Sequence, residues 1–530
     1  MRAPGAALGV RVSPATAAAL AAAALVAGAA ALPALYLVIR ALQHASEVGE
    51  TLGRTRAAES TLRTILLAGG VAGTATLIAV PLAWLLARTD LRLRSLWTVL
   101  LALPLAIPSY VGALAVVAAF GPRGTLQGWL EPVGVERLPE IYGFPGAWLV
   151  LTIHTYPFVL LPVRAALGSI DRSVEEAARS LGASAAATFF RVTLPQLRPA
   201  IAAGFLLSAL YTLSDFGAVS ILRYDALSRD IYVQYSAVFD RHAAASLALL
   251  LVFVALVTVS AEAVTRGRAR YHVTAPRGRV RRLRLGRGQV VAQLYCLLLA
   301  SIALLLPIGV LSDWLLRGLD GGIDWGAVRE AGTNSVLAAA FGAGVTTLAA
   351  LPVAYLAVRH PGPVSATLER LALSGYALPG IAVALALVFF AANYLPWLYQ
   401  TLGLLVLGYA VRFLPQALGP CRASLLQVNP KTEEAARGLG AGPLRVFWRI
   451  TLPQLLPGVS AGAALVFLTA MEELPATLLL SPIGYETLAV QVWAEAQAAF
   501  YSQAALPALI LILISALPTY LITKGAPAPA

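Results

Sequence analysis

The sequence predicts an all-α polytopic membrane protein of about twelve transmembrane helices, arranged as two homologous six-helix repeats. Three observations carry this. Of 530 residues, 59% are hydrophobic and only 12% charged, with a mean hydropathy of +0.77, whereas soluble domains run at about 45–50% apolar and about 25% charged. The apolar residues gather in blocks that mostly exceed the roughly 20 residues needed to cross a bilayer. Finally, a polar stretch occurs twice: Glu175 to Ile201 (EEAARSLGASAAATFFRVTLPQLRPAI) returns as Glu433 to Val459 (EEAARGLGAGPLRVFWRITLPQLLPGV), 258 positions later without a gap and with 16 of 27 residues identical. A charged insert kept at one place in two apolar halves implies a docking surface presented twice.

The expected spans are 15–42, 63–87, 98–120, 146–168, 199–222, 243–265, 288–316, 334–358, 370–394, 401–424, 457–480 and 504–523. The first follows Arg2 and Arg11; its apolar run is long for a cleaved signal peptide, so it reads as an uncleaved span. The second ends in PLAWLLARTD (from Pro81) and the eighth in PVAYLAVRHP (from Pro352). The third carries Leu103-Pro104 and the ninth Leu378-Pro379. The spacing of matched features shifts from 271 to 275 and back to 258, mostly because the external segment Gly121 to Gly146 is longer than its counterpart near Asn393. With a cytoplasmic N-terminus, 27 of the 39 lysines and arginines fall on that side and 11 on the other, with Arg412 inside a span. The positive-inside rule selects this orientation, which puts both inserts and the C-terminus in the cytoplasm.

The chain then divides into a first transmembrane repeat at 1–264 with its insert at 171–197, a linker at 265–288, and a second repeat at 289–530 with its insert at 429–455. The linker holds nine arginines and no acid. It reads as a solvated connector that pins topology and meets anionic lipid head groups. The lack of an aromatic stacking platform or a reading helix argues against nucleic-acid binding. Cys296 and Cys421 lie in apolar helices and read as small buried hydrophobes, not as a disulfide or metal framework.

Within each insert, Asp171 or Asn429 stands where an N-cap belongs, and Pro430 suits the first helical position. Ser173 with Glu176 offers an alternative capping box. The acid pairs Glu175/Glu176 and Glu433/Glu434 fall in the first turn, where the helix dipole favours them; local pairing with Arg179 and Arg437 is their bland reading. Gly182 or Gly440 ends the first short helix, and Leu194-Pro195 or Leu452-Pro453 closes a second. The unit is a two-helix bracket at the membrane interface.

Its pattern of Glu-Ala-Ala, three residues, Gly, eleven residues and Leu-Pro resembles the coupling motif of importer-type ABC transporter permeases. The match falls on Glu176, Ala177, Ala178, Gly182, Leu194 and Pro195, and again on Glu434, Ala435, Ala436, Gly440, Leu452 and Pro453. The resemblance implies that each bracket seats in a groove of an ABC ATPase subunit, with Glu176 and Glu434 as docking acids beside Glu175 and Glu433. It implies two ATPase copies, a periplasmic substrate-binding protein, and an inner-membrane location. The only lysines, Lys431 and Lys524, complete no Walker A loop, so ATP and Mg are expected on the partner chains, with no catalytic residue and no resident cofactor or metal here.

Ionisable residues inside spans mark pathways. Asp215 in the fifth span aligns with Glu473 in the eleventh, beside Glu472, and His154 in the fourth aligns with Arg412 in the tenth. Either these acids and bases line a substrate path between the repeats, or they form an ion-pair network that holds the bundle. Pro475 is expected to interrupt the eleventh helix. Acids suit a hard cation, and LSDFGAVSIL (from Leu213) with ELPATLLLSPIGYETLAVQVW (from Glu473) is similar to ferric-iron permeases. That resemblance implies ferric-iron import; thiamine and polyamine permeases share the pattern. The segments 121–145 and 223–242 are where a binding protein would dock. A proton-coupled secondary carrier is the competing class.

Overall fold

A computed structural model of the chain describes residues 14–122, 124–135, 138–170, 172–266, 283–319 and 323–525. The first half runs α1 (Pro14–Gln43), α2 (Ala45–Gly53), α3 (Thr55–Arg88), α4 (Arg94–Leu100), α5 (Ser109–Phe120), α6 (Thr125–Leu130), α7 (Phe144–Ser169), α8 (Arg172–Ser180), α9 (Ala185–Thr188), α10 (Leu194–Ser214), α11 (Gly217–Ile221), α12 (Leu227–Ser236) and α13 (Arg241–Arg266). The second runs α14 (Gly288–Ala300), α15 (Leu306–Gly318), α16 (Trp325–Arg359), α17 (Pro363–Leu373), α18 (Gly380–Tyr394), α19 (Leu402–Gln427), α20 (Pro430–Gly438), α21 (Pro443–Val446), α22 (Leu452–Met471), α23 (Pro475–Leu480), α24 (Leu488–Gln497) and α25 (Tyr501–Gly525). Five-residue π-helical turns join α9 to α10, α14 to α15 and α21 to α22.

Among the described residues, ten helices are long and apolar enough to cross a membrane. They correspond to ten of the twelve expected spans. The third and ninth depart from the expectation of continuous helices. The third bends by 97° between Arg94–Ala106 and Ser109–Gly128, because Pro108 forces Ile107 into extended backbone at φ −101°, ψ 114°. In the ninth, helix α17 gives way to a 3-10 turn, Ser374–Ala377, and α18 resumes after Pro379 with 15 residues, short of a full crossing. The fifth and eleventh spans also stop early: α10 ends at Ser214, not 222, and α22 at Met471, not 480.

The described residues form two compact units. The larger takes Tyr36–Val336, Ala377–Leu402 and Met471–Ala530. Its core packs α3, α7 and α10 together through Leu82, Leu86, Tyr156, Leu160 and Leu197, and α14 adds Cys296 and Leu299 to the same cluster. Two polar ties hold α14 there: the Trp97 indole donates to Gln293 Oε1 at 2.7 Å, and the Tyr295 hydroxyl to the Ile78 carbonyl at 3.0 Å. Linker residues 267–282 lie outside the described residues. The linker's end is pinned beside α3, where Leu283 N–H donates to Arg88 O at 2.9 Å and Asp90 N–H to Leu283 O at 3.0 Å.

The smaller unit takes the described residues of Met1–Leu35, Leu337–Tyr376 and Gly403–Ala470. Leu425, Val428 and Leu455 form its cluster against Tyr355 and Val358. A matched close crossing appears in each unit. A Cβ on Gly204 would lie 2.6 Å from Val159 Cα, and one on Gly462 would lie 3.1 Å from Ala417 Cα. Both pairs are matched at the 258 offset, so the repeat preserves a close backbone approach at glycine. Cys296 and Cys421 are buried free thiols, as the apolar context implied.

Candidate functional site

Both brackets fold by the same local rules. In the second, Asn429 Oδ1 accepts from Lys431 N–H at 3.1 Å and Pro430 takes the first helical position. Its counterpart Asp171 lies outside the described residues. Helix α8 begins at Arg172, so Ser173 sits inside the first turn and not at the cap position that a capping box requires. Gly182 at φ +87° and Gly440 at φ +84° end the helices in the left-handed region. The carbonyls of Ala178 and Ala436 then accept from Ala183 and Ala441 N–H at 3.1 and 3.0 Å, while Arg179 and Arg437 carbonyls accept from Gly182 and Gly440 at 2.9 and 3.0 Å. This is a Schellman closure, which explains glycine at a fixed distance beyond the paired alanines. Pro195 and Pro453 follow the π turns in the first turn of α10 and α22.

The two acids of each pair face different ways. Glu175 Oε1 accepts from Arg88 Nη2 at 3.3 Å and from Thr193 Oγ1 at 2.8 Å. Glu433 Oε1 accepts from Arg359 Nη2 at 3.0 Å and Thr451 Oγ1 at 3.0 Å, and Arg359 also donates to Val428 O at 3.0 Å. These pairs are largely shielded from solvent, with side-chain exposures of 6% and 16% in the first copy and 11% and 4% in the second. The looser i+4 contact of Arg437 with Glu433, at 3.8 Å, accompanies the second clamp. Each clamp fastens its bracket to the last residue of a long membrane helix, α3 or α16. Glu176 and Glu434 instead project from the bracket exposed, as do Ala177 and Ala435.

An apolar surface accompanies those outward acids. Leu181 and Leu439, just before the closing glycines, are 89% and 90% exposed, and Phe190 and Trp448 stand out at the matched position on the π turns. An exposed aromatic and an exposed leucine beside an exposed carboxylate have the composition of a contact surface.

The intramembrane acids have unequal surroundings. Asp215 leaves the helix in extended backbone at φ −68°, ψ 130°; its Oδ1 accepts from Ala218 and Val219 N–H at 3.0 and 3.3 Å, and Oδ2 from the Ser109 hydroxyl. Its carboxylate thus caps α11. Glu473 repeats the device, accepting from Ala476 N–H at 3.1 Å at the start of α23. Glu472 differs: its Oε1 is buried beside Ser515 with no hydrogen-bond partner among the described residues. His154 is buried, lines the same cavity as Ile107 at the bend of the third span, and has its ring centroid 4.7 Å from that of Tyr211. It forms no ion pair with Asp215 among the described residues. Arg412 lies in the smaller unit, with its guanidinium 5.6 Å from the Phe413 ring centroid.

His154, Ser109, Pro104 and Pro307 line a cavity of about 30 Å³, room for a water molecule or two. The breaks of all four spans lie in the larger unit. There α11 packs on α5, α18 packs on α23, and Phe216 lies 5.0 Å from Trp493 of α24.

The sequence reading missed the clamp arginines. Their signal was available, because Arg88 and Arg359 end the matched PLAWLLARTD and PVAYLAVRHP segments, but nothing local ties them to acids 87 and 74 residues away. The exposed Leu181/Leu439 and Phe190/Trp448 pairs were legible only as apolar residues in a polar insert.

A family model described as the inner membrane component of binding-protein-dependent transport systems matches residues 79–267 and again 347–524. The Fe(3+)-transport system permease protein FbpB 2 of Haemophilus influenzae is 35% identical over 508 residues, covering 93% of this chain and 96% of that protein. The ferric transport system permease protein FbpB of Actinobacillus pleuropneumoniae is 26% identical over 78% of this chain and 64% of its own length. A sulfate transport system permease protein of Escherichia coli (strain K12) is 36% identical over a shorter stretch, 33% of this chain and 65% of its own length. Two family matches, each spanning one bracket, together with ten membrane helices and a relative similar along nearly the whole length, place this chain in the family of binding-protein-dependent transport system inner membrane components.

Proposed function

We propose that this chain is the permease of a binding-protein-dependent ABC importer that carries ferric iron across a bacterial inner membrane. ATP is hydrolysed on two copies of a separate ATPase subunit, which hold the nucleotide and Mg and engage one bracket each; a periplasmic protein delivers the cargo. Both termini and both brackets face the cytoplasm. The observation that carries this reading is the pair of equivalent brackets. Each presents an outward acid, Glu176 or Glu434, beside an exposed leucine, and each is locked from behind to a membrane helix by a buried arginine. Force on a bracket passes through Arg88 to α3 and through Arg359 to α16. Ferric iron as cargo is supported by the similarity to an iron(III) permease over 93% of the chain. Within the membrane, Asp215 and Glu473 hold the broken helices in shape, and Glu472, with its open carboxylate oxygen, faces the cargo. Membrane carboxylates of this kind meet permeating cations because a charge there is costly without a partner.

The test is uptake of radiolabelled ferric iron by a deletion strain carrying the wild-type gene or the Glu176→Lys/Glu434→Lys variant, with labelled thiamine and a polyamine as controls. Iron uptake that is lost in the variant together with ATPase co-purification supports the proposal. Uptake that persists without any ATPase subunit and collapses with the proton gradient would establish a secondary carrier, and uptake of thiamine alone would reassign the cargo.

A further inference from the structure

We infer that a divalent transition-metal site lies at the opposite end of the larger unit from its bracket, formed by His44, Glu47 and His242. His44 occupies the corner between α1 and α2, Glu47 the first turn of α2, and His242 the first turn of α13. The histidines are 198 positions apart (242 minus 44), so no metal-ligand spacing announces them. The fold brings them together because α2 packs along the start of α13. The chain has only five histidines, and two of them converge on one carboxylate. That is a specific juxtaposition and not a byproduct of abundance.

The geometry suits a metal better than a bare hydrogen bond. His242 Nδ1 lies 3.0 Å from Glu47 Oε2 and His44 Nδ1 3.6 Å from Glu47 Oε1, and one ligand atom from each residue falls within 4.8 Å of the others. The shorter distance admits a hydrogen bond, whereas the longer exceeds one. A tetrahedral ion bound at about 2.0–2.2 Å separates its ligands by about 3.3–3.6 Å, so small side-chain movements close the site. The two imidazole ring centroids are 4.5 Å apart with the planes tilted by 60°. Asp240, one further acid nearby, is committed elsewhere: its Oδ1 accepts from His242 and Ala243 N–H at 3.1 and 2.9 Å, fixing the turn that carries His242.

Two imidazoles and one carboxylate select borderline divalent ions such as Zn²⁺, Fe²⁺ or Co²⁺ over Ca²⁺ or Mg²⁺, and leave coordination positions for water. The three side chains are 38–49% exposed, so an ion can enter from solvent. Distance separates the site from the bracket, since α3 starts just beyond α2 and its 34 residues span about 51 Å before Arg88. A bound ion would staple the α1–α2 corner to α13. The inference stands on these three residues and does not depend on the cargo assigned above.

The experiment is a Co²⁺ titration of the full-length, metal-stripped protein in detergent, read by visible d–d absorption, with Zn²⁺ and Ca²⁺ as competitors. One Co²⁺ per chain, displaced by Zn²⁺ and not by Ca²⁺, is expected. His44→Ala and His242→Ala should each weaken binding by about 10–100-fold or more, while His360→Ala retains it. Monodisperse elution of each variant separates loss of the site from loss of the fold. Absence of Co²⁺ binding by the wild type, equal binding by a monodisperse His44→Ala/His242→Ala variant, or equal competition by Ca²⁺ would each overturn the assignment.

Discussion

Replacing Glu433 by Ala should loosen the second bracket from the membrane helix that it is fastened to. Arg359 would keep its bond to the Val428 carbonyl but lose its only acidic partner in the clamp, at 3.0 Å, in a place where its side chain is 11% exposed. Breaking a buried ion pair from one side costs about 3–5 kcal/mol, because the remaining charge stays buried. Thr451 loses an acceptor as well. If that cost falls on local opening and not on global unfolding, the bracket opens on the order of 10²–10⁴-fold more often. Hydrogen exchange read by mass spectrometry on peptides from 430–446 would show the change, with peptides from 402–427 as the internal control. The double variant Glu433→Leu/Arg359→Met removes the stranded charge and should recover most of the protection. Unchanged exchange over 430–438 in the single variant, or a double variant as loose as the single, would refute the clamp argument. Glu175→Ala is expected to be milder, about 1–3 kcal/mol, because Glu175 is 16% exposed and its arginine sits at 3.3 Å.

Other outcomes follow from the same geometry. Gly182→Ala and Gly440→Ala meet no atom within 4 Å, so their cost is backbone strain alone, about 1 kcal/mol each, visible as faster exchange at the bracket turns. Leu181→Ser with Leu439→Ser should weaken ATPase co-purification while leaving thermal stability in detergent unchanged, because both side chains are about nine-tenths exposed. Glu472→Gln should reduce iron uptake with little change in stability. Asp215→Ala should instead destabilise by about 1–2 kcal/mol, the usual range for a lost helix cap, and lower uptake through misfolding of α11.

Much of this architecture can be read directly from the residues. Hydropathy placed twelve spans, ten of which are matched by long apolar helices among the described residues, and the paired alanines, glycines and Leu-Pro steps outlined both brackets. What escaped the reading was long-range or positional. The third and ninth spans were drawn as continuous although Pro104, Pro108 and Pro379 were visible, because apolar composition alone does not distinguish a straight span from a bent one. Asp215 had no neighbouring proline to announce a break; its carboxylate ends the helix by capping the next one. Intramembrane acids were read as one set, but their roles separate by local hydrogen bonding, with Asp215 and Glu473 consumed by caps and Glu472 left open.

The placement of the four broken spans narrows where cargo passes. Exposed irregular backbone is excluded from lipid, because each unpaired N–H or carbonyl there costs several kcal/mol; it survives only inside protein or along a water-filled path. Breaks at Ile107, Asp215, Pro379 and Glu472 to Leu474 all belong to the larger unit. Two are tied locally by hydroxyls: Ser228 donates to the Asp215 carbonyl at 2.5 Å, and Thr477 donates to the Glu473 carbonyl at 2.5 Å. A merely structural kink needs no such repeated investment of polar side chains in an apolar setting. A cargo path would, since backbone broken there has to be satisfied beside water and not lipid. Ser109→Ala and Ser228→Ala tests this directly, because neither hydroxyl is a cargo ligand in this scheme. If the breaks line the path, loss of these hydroxyls should alter iron uptake more than thermal stability; a stability loss of about 1–2 kcal/mol per site with unaltered uptake per folded molecule would mark the breaks as structural only.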